Sequence, residues 1–323
     1  MEFALTEEQQ ELAATVRSLL VKRADARVEA YDEALWTTLC EQIGVAALGI
    51  PEEYDGAGFS LFESLVVLEE VGRSLAPSPL LSSLITSEAL LAAADEDAKA
   101  RLLPRIAMGE VAAFAVGAEA VDVLDGDLAT VLVVATDDGL YEVDPEASAR
   151  TWTPTMDQTI RLATVSTDLS RATRIGDGPA ARARAEQVGA VGAAALAAGL
   201  SARALEMTVA YSKERVQFGR QIGSFQALKH RMADMLVLAE MSRSASWAAS
   251  YAVATRSADA DELTHVAKAY CSDAVAHLAG ETVQLHGGIA ITWEHDAHLV
   301  LKRAHALGQL FGSAQEHRGL VEL

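Results

Sequence analysis

Apolar residues near the start of the chain recur with a helical period. Leu12, Val16, Leu19 and Leu20 stand at i, i+4, i+7 and i+8 and make one apolar face. Thr6, with Glu8 and Gln9 just inside, supplies an N-cap and acidic residues where the helix dipole favours them. The helical pattern continues to about Met108. A proline- and glycine-marked loop at Pro51 to Gly58 and a break at Ala76-Pro77-Ser78-Pro79 interrupt it. From Gly109 to Pro179 the period shortens. Thr130 to Thr136, Leu140 to Val143 and Thr159 to Val165 are β-branched runs that predict strands, and Asp125-Gly126 and Asp138-Gly139 predict hairpin turns. Together they predict a small sheet.

Helical periodicity returns at about Ala180 with an Ala/Gly-rich helix from Glu186 to about Ser212. Its small residues permit close helix–helix approach. Arg203 and Glu206 interrupt it, which favours tight bundle packing over a membrane dimerisation face. Periodicity alone predicts a helical protein with a β insert, divided at 1–110, 111–179 and 180–323.

Composition narrows the function classes. The 323 residues can bury a large core, half of them are hydrophobic, and no run of eighteen uninterrupted apolar residues appears, so no membrane span is expected. No basic flank followed by an apolar run marks a secretory signal. Cys40 and Cys271, far apart in helical patterns, predict reduced thiols and a cytoplasmic protein. A net charge of −20 repels nucleic acid and anionic lipid. A polyanionic ligand would therefore need a local basic patch.

Two segments carry candidate chemistry. Tyr211-Ser-Lys-Glu-Arg215-Val-Gln217-Phe218-Gly219-Arg-Gln-Ile222-Gly-Ser-Phe225-Gln226 reads as the end of one helix, a turn at Phe218-Gly219, and a new helix N-capped by Ser224. About seventy residues later, Gln284-Leu285-His-Gly287-Gly288 puts an amide before two glycines, where backbone N–H groups can approach a ligand. An arginine fork, amides and open N–H groups suit a pyrophosphate. Taken singly, Arg215 reads as a surface ion pair with Glu214 or Asp234, Phe218 and Phe225 as core, and the glycines as a helix break. The pairing of the two segments in this order favours ligand binding.

These segments resemble the acyl-CoA dehydrogenase family, flavoproteins that oxidise acyl-CoA thioesters to 2-enoyl-CoA. Phe3-Ala-Leu-Thr6-Glu-Glu-Gln, Leu48-Gly-Ile-Pro51-Glu52-Glu-Tyr54-Asp-Gly56-Ala-Gly58, and Val66-Val-Leu-Glu69-Glu70-Val-Gly72-Arg73 with Pro77 and Pro79 extend the resemblance over nearly the whole chain. It implies an α+β, mostly α fold: an N-terminal helical domain, a small reduced β domain and a C-terminal four-helix bundle. It also implies FAD, bound across a subunit interface. Arg215, Gln217, Phe218, Ile222, Phe225, Gln226, Gln284, Leu285, Gly287 and Gly288 match the residues that hold its pyrophosphate and adenine end.

Other family features are missing. The acidic-Pro/Gly-Ser-Asp stretch and the aromatic-Ile-Thr strand that meet the flavin ring have no counterpart in Phe114 to Gly126. The glutamate that removes the substrate α-proton falls at Gly312 in one register and near Gly189 in the other, with Glu186 a turn away. His295 and His298, beside Trp293 and Glu294, have metal-like spacing but no third ligand, so no metal is expected. The pattern resembles the shorter subunit of bacterial heterotetrameric acyl-CoA dehydrogenases acting on sterol side chains. It implies an α2β2 partner that carries the base and most of the acyl-CoA site, and a separate electron acceptor. An autonomous enzyme using Glu186, or a scaffold that has lost FAD, are the alternatives.

Overall fold

The computed structural model describes residues 4–28 and 31–321. Phe3, at the head of the opening helical motif, lies outside the described residues. The chain divides into two units: Met1–Val67 with Pro77–Gly189, and Leu68–Ala76 with Ala190–Leu323.

In the first unit, α1 (Glu7–Arg23) opens on a capping box in which Thr6 and Gln9 satisfy each other's backbone N–H. Its buried stripe is Ala13, Val16 and Leu20. α2 (Glu33–Ile43) is capped by Asp32 and stopped by Gly44 at φ 76°. α3 (Leu61–Ser74) leads to Pro77 and Pro79, after which α4 (Leu80–Ala93) is buried on nearly every face. α5 (Glu96–Ala107) starts on Asp95.

Seven strands follow: β1 (Ala112–Val116), β2 (Glu119–Leu124), β3 (Val131–Thr136), β4 (Gly139–Val143), β5 (Ala149–Thr153), β6 (Leu162–Ser166) and β7 (Thr173–Gly176). They form two sheets, ordered β1-β3-β4-β7 and β2-β6-β5, with β1 and β3 parallel. Between them Ala113, Ala115, Val123, Leu132, Val134 and Val165 make a core of alanine, valine and leucine side chains.

Two turn expectations meet different outcomes. β3 and β4 form a hairpin, with Thr136 paired to Gly139, so its loop is Asp137-Asp138. Gly139 lies in the strand through this pairing, and a Cβ there would sit 2.5 Å from Arg174 Nε. Asp125-Gly126 makes no hairpin: β2 pairs with β6, and β3 pairs with β1 and β4. Asp125 is instead buried at φ 52° with its carboxyl beside Ser82 Oγ.

α6 (Gly178–Glu214) begins earlier than the expected Glu186. Asp177 accepts a hydrogen bond from Ala180 N, and Pro179 falls in the first turn, where its missing N–H costs nothing. α6 has the length and hydropathy of a membrane span, but 83% of its most apolar window is buried.

The second unit contains the rest of α6, a two-residue-strand hairpin of β8 (Val216–Gln217) and β9 (Arg220–Gln221), and α7 (Gln226–Thr255), α8 (Ala260–His286), α9 (Ala297–Gln309) and α10 (Ala314–Gly319). Within it the tail of α3 lies directly on α6. A Cβ on Gly72 would stand 2.1 Å from the Leu196 carbonyl oxygen, and one on Gly199 would stand 1.8 Å from that of Glu69. The crossing is backbone against backbone. Arg73 pairs with Glu206, and Trp247 Nε1 donates to Glu69 at 2.7 Å.

Gly199→Ala should therefore destabilise the protein by roughly 3 kcal/mol, because overpacking against backbone exceeds the helix-propensity gain of about 1 kcal/mol. Urea denaturation measures it. A neutral or stabilising result would mean the helices are not fixed at this separation.

Candidate functional site

α6 ends at Glu214, and Arg215 N still donates to Tyr211 O at 2.9 Å. The chain then reverses through the β8–β9 hairpin. Phe218 (φ 53°) and Gly219 (φ 76°) supply the two left-handed residues that such a two-residue loop requires. Ile222 N returns to Arg215 O at 2.8 Å and closes the corner.

Phe218, expected as core or as ligand contact, is 91% exposed at the tip. Its ring meets Phe225 edge-on at 6.2 Å, and the Arg220 guanidinium lies 3.9 Å above Phe225. Ile222 is buried beneath the turn, and Gln217 Nε2 donates to the Val216 carbonyl. Gln226 and Arg215 are exposed, and among the described residues Arg215 forms no ion pair with Glu214 or Asp234.

Ser224 does not cap α7. A 3₁₀ turn at Ile222–Ser224 delays the helix, Ser224 Oγ donates back to Gln221 O at 2.6 Å, and Phe225 takes the N-cap position without a side-chain bond.

At the C-terminal end of α8, Gln284 is exposed and Leu285 buried. Gly287 has φ 67° and ψ −144°, a conformation essentially reserved for glycine. Its own N–H closes α8 on Val283 O, so that group is not open to a ligand as the sequence suggested. The pair offers space instead: nothing lies within 4 Å of a Cβ on Gly287 or Gly288.

Three rings join this end to the first corner. Tyr211 stacks on His286 at 4.4 Å, His286 lies 4.4 Å from His295, and Tyr211 meets His295 edge-on at 6.0 Å. Thr208 and Thr282 touch through their hydroxyls one turn back, and Arg231 grips Glu281 with two bonds across α7 and α8. His286 Nδ1 lies 2.7 Å from the Thr282 carbonyl, so it carries the proton. Nε2 is buried and has no hydrogen-bond partner among the described residues. Burial holds this imidazole below its ordinary range. The structure thus brings the two segments together through Tyr211, His286 and His295. Sequence reasoning did not assign them that role, because stacking across two helices depends on register that local spacing does not encode.

The two positions at which family members place a base are also defined. Gly312 has φ 95°, and a Cβ there would stand 3.0 Å from His317 Nε2. Its carbonyl accepts a hydrogen bond from Lys268 Nζ at 2.8 Å. Lys268, only 1% exposed, also donates to Leu307 O and Ser272 Oγ, and burial pushes its ammonium down to about 8. His317 Nε2 reaches Phe311 O at 2.7 Å, and its Nδ1 meets His265 Nδ1 at 2.9 Å. Glu316, beside this turn, is engaged with Ser313 N and Oγ in a capping box. Gly189 lies buried within α6, and Glu186 is exposed and ion-paired with Arg182 at 2.8 Å. No group of three or more His, Cys, Asp or Glu side chains among the described residues is arranged to hold a metal, and Trp293 is packed against His298 and Lys302.

Residues 6–110 match the acyl-CoA dehydrogenase N-terminal domain and residues 170–322 the C-terminal domain. The chain belongs to the acyl-CoA dehydrogenase family. It is 44% identical to acyl-CoA dehydrogenase IpdE2 of Mycobacterium tuberculosis over 96% of this chain and 95% of that one. It is 40% identical to IpdE2 of Mycolicibacterium smegmatis over 98% and 99%. Among solved structures, the Tcur3481-Tcur3483 steroid ACAD G363A variant matches at a TM-score of 0.86 and 27% identity, covering 98% of this chain and 96% of that one. Butyryl-CoA dehydrogenase from Megasphaera elsdenii matches at a TM-score of 0.89 and 18% identity over 99% and 98%, a likeness of fold. The acyl-CoA dehydrogenase fold, α+β and mostly α, is therefore the fold of this chain.

The His317 contacts carry a pH dependence. Burial, then Lys268 and His265, hold His317 below its ordinary 6.5, against the Phe311 carbonyl and Glu316. A depressed imidazole contributes stability that is present above pH 6.5 and lost as pH falls through its folded value. The melting temperature should fall below pH 6.5 more steeply in the wild type than in His317→Gln, which keeps an N–H for Phe311 O but does not titrate. Parallel slopes would remove His317 from the acid response.

Proposed function

We propose that this chain is one subunit of a two-component, FAD-dependent acyl-CoA dehydrogenase. It holds the pyrophosphate and adenine end of FAD for a longer partner that carries the flavin-ring site and the catalytic glutamate, in an α2β2 assembly. The observation that carries this reading is the turn at Gly312. Its left-handed backbone at φ 95°, the His317 Nε2 at 3.0 Å from any Cβ and the Lys268 bond to its carbonyl make a glutamate strained where one family register places the base. In the other register Glu186 is exposed and committed to Arg182, which speaks against an autonomous enzyme.

The residues fit FAD. Arg215 is exposed and, among the described residues, unpaired beside Glu214; Gln226 and Gln284 are exposed amides, and Gly287-Gly288 leaves an open surface for a diphosphate. Bound FAD would supply the hydride acceptor for oxidation of the acyl chain. This chain's part is to bind and orient: Arg215 as a fork on phosphate oxygen, Gln226 and Gln284 as hydrogen-bonding amides, Phe218 and Phe225 as apolar surface for the adenine. The 27% identity to a steroid acyl-CoA dehydrogenase of two named components supports a steroid-CoA thioester as substrate and a separate partner chain. Two unpaired cysteines fit a cytoplasmic setting, and an electron-transfer protein would reoxidise the flavin.

Arg215→Ala should lower flavin affinity roughly 10- to 150-fold through loss of a charge-assisted contact. Gln284→Ala should act the same way but more weakly. Flavin content after dialysis of the co-expressed complex measures both, and full retention in the two variants would refute the assigned contacts.

Glu186→Gln should leave kcat of the complex unchanged with FAD bound. A collapse would return the base to this chain. Gly312→Glu should lower stability with no gain in turnover.

A further inference from the structure

A cavity of about 470 Å³ opens in the first unit, lined by none of the residues assigned to FAD. Asp125 lies against it, buried in the left-handed region at φ 52°, a conformation that costs energy for any residue but glycine. Ser82 Oγ stands 2.6 Å from Asp125 Oδ2 and 2.9 Å from the Pro79 carbonyl oxygen. One hydroxyl proton cannot serve two acceptors. If Asp125 keeps its proton, its O–H donates to Ser82 Oγ, Ser82 donates to Pro79 O, and the chain is complete. The surroundings agree. Burial, with Asp127 adding to it, pushes the carboxyl up to about 7, while Arg161, the nearby cation, is held by Asp127 in a two-point pair at 3.0 and 2.6 Å.

The cavity therefore offers acceptors that are neutral. Asp125 keeps its second oxygen, and Gln158 Oε1 is buried with no hydrogen-bond partner among the described residues. An unmet buried acceptor is costly, so its place in a cavity points to a donor supplied from outside. Much of the remaining wall is apolar, with Pro77, Pro79, Leu128, Trp152 and Ile160, and Ser78, Thr155 and Thr159 add neutral hydroxyls. An anion finds no free cation among the lining residues, because Arg161 is paired. A cation finds no free carboxylate. Tyr31, the other titratable group in the lining, has its phenol pushed well above the ordinary range by burial, with Glu33 adding to it, and stays neutral. The volume falls in the range of small-ligand sites.

We propose that this cavity is a binding site for a neutral, compact ring alcohol, whose hydroxyl donates to Gln158 Oε1 while its ring lies against Trp152 and the prolines. The site is independent of the flavin contacts and holds whether or not those are correct.

The test is isothermal titration of the purified full-length protein, with its partner chain if one co-purifies, at pH 6. The probe is 2-naphthol, compared with 2-methoxynaphthalene, which has the same rings and no donor. 2-Naphthol should bind at least tenfold more tightly, the worth of about one hydrogen bond. Gln158→Leu should weaken 2-naphthol roughly tenfold and narrow the gap between the probes. Asp125→Asn, whose amide can donate to Ser82 Oγ and keep an oxygen facing the cavity, should bind 2-naphthol within about threefold of wild type. Equal affinity for the two probes in the wild type would overturn the proposal, as would no binding of either. Unchanged affinity in a folded Gln158→Leu would overturn it as well.

Discussion

The contact on which the second unit depends is the one that has no side chains in it. Gly72 on α3 and Gly199 on α6 let two helix backbones touch, each glycine facing the other helix's carbonyl oxygen. Any larger residue would force the axes apart. α6 is thereby fixed near its middle, and its C-terminal end, where Tyr211 meets His286, is held to the register of α8. Small residues earlier in α6 serve the same end. They explain why a helix with the hydropathy of a membrane span is instead a core element, most of its apolar surface being buried against protein.

Much of the helical architecture could be read from the sequence, because period 3.6, caps and proline breaks are local signals. Thr6 and Pro77 act where they stand. The β region was only half legible. β3 and β6 carry β-branched residues and β4 a Tyr and a Val, whereas β1 is Ala-Ala-Phe-Ala-Val, whose alanines have little strand preference, and β2 is broken by Asp122 at φ 56°. Asp125-Gly126 misled because an Asp-Gly pair signals a hairpin only when the flanking strands pair with each other. Here they belong to different sheets, and the pairing is decided by burial between the sheets rather than by the turn. At the corner the motif residues were legible as a set, but Ser224 was overruled by a 3₁₀ turn that buries Ile222. Lys268, the cation that fixes the last turn, sits in a helical run with nothing local to mark it.

Charge gives the corner its meaning. Acidic residues outnumber Lys and Arg by 46 to 26, so many arginines find a carboxylate partner. Arg73, Arg101, Arg105, Arg161, Arg184 and Arg231 are all ion-paired. Arg220 is drawn over Phe225. Arg215 has Glu214 next to it in the chain and Asp234 on α7 and pairs with neither. In a protein that would repel a polyanion at long range, an exposed, uncommitted guanidinium beside a glycine-opened helix end is the local positive feature that such a ligand requires.

The turn at Phe311-Gly312 shows how packing can govern a position that chemistry would otherwise claim. α9 ends with carbonyls that no further turn of helix can satisfy. Lys268 reaches them from α8, donating to Leu307 O and Gly312 O, so the helix-end dipole and two buried acceptors compensate a buried ammonium. For Gly312 to present its carbonyl this way the backbone passes through φ 57° at Phe311 and φ 95° at Gly312. The second value is open to glycine at little cost. His317, braced by Phe311 O and His265, fills the space a Cβ would take. Placing a carboxylate at Gly312 would thus disturb the lysine, the histidine pair and the helix end together. These contacts together hold the end of α9 in place and commit the Gly312 turn to packing.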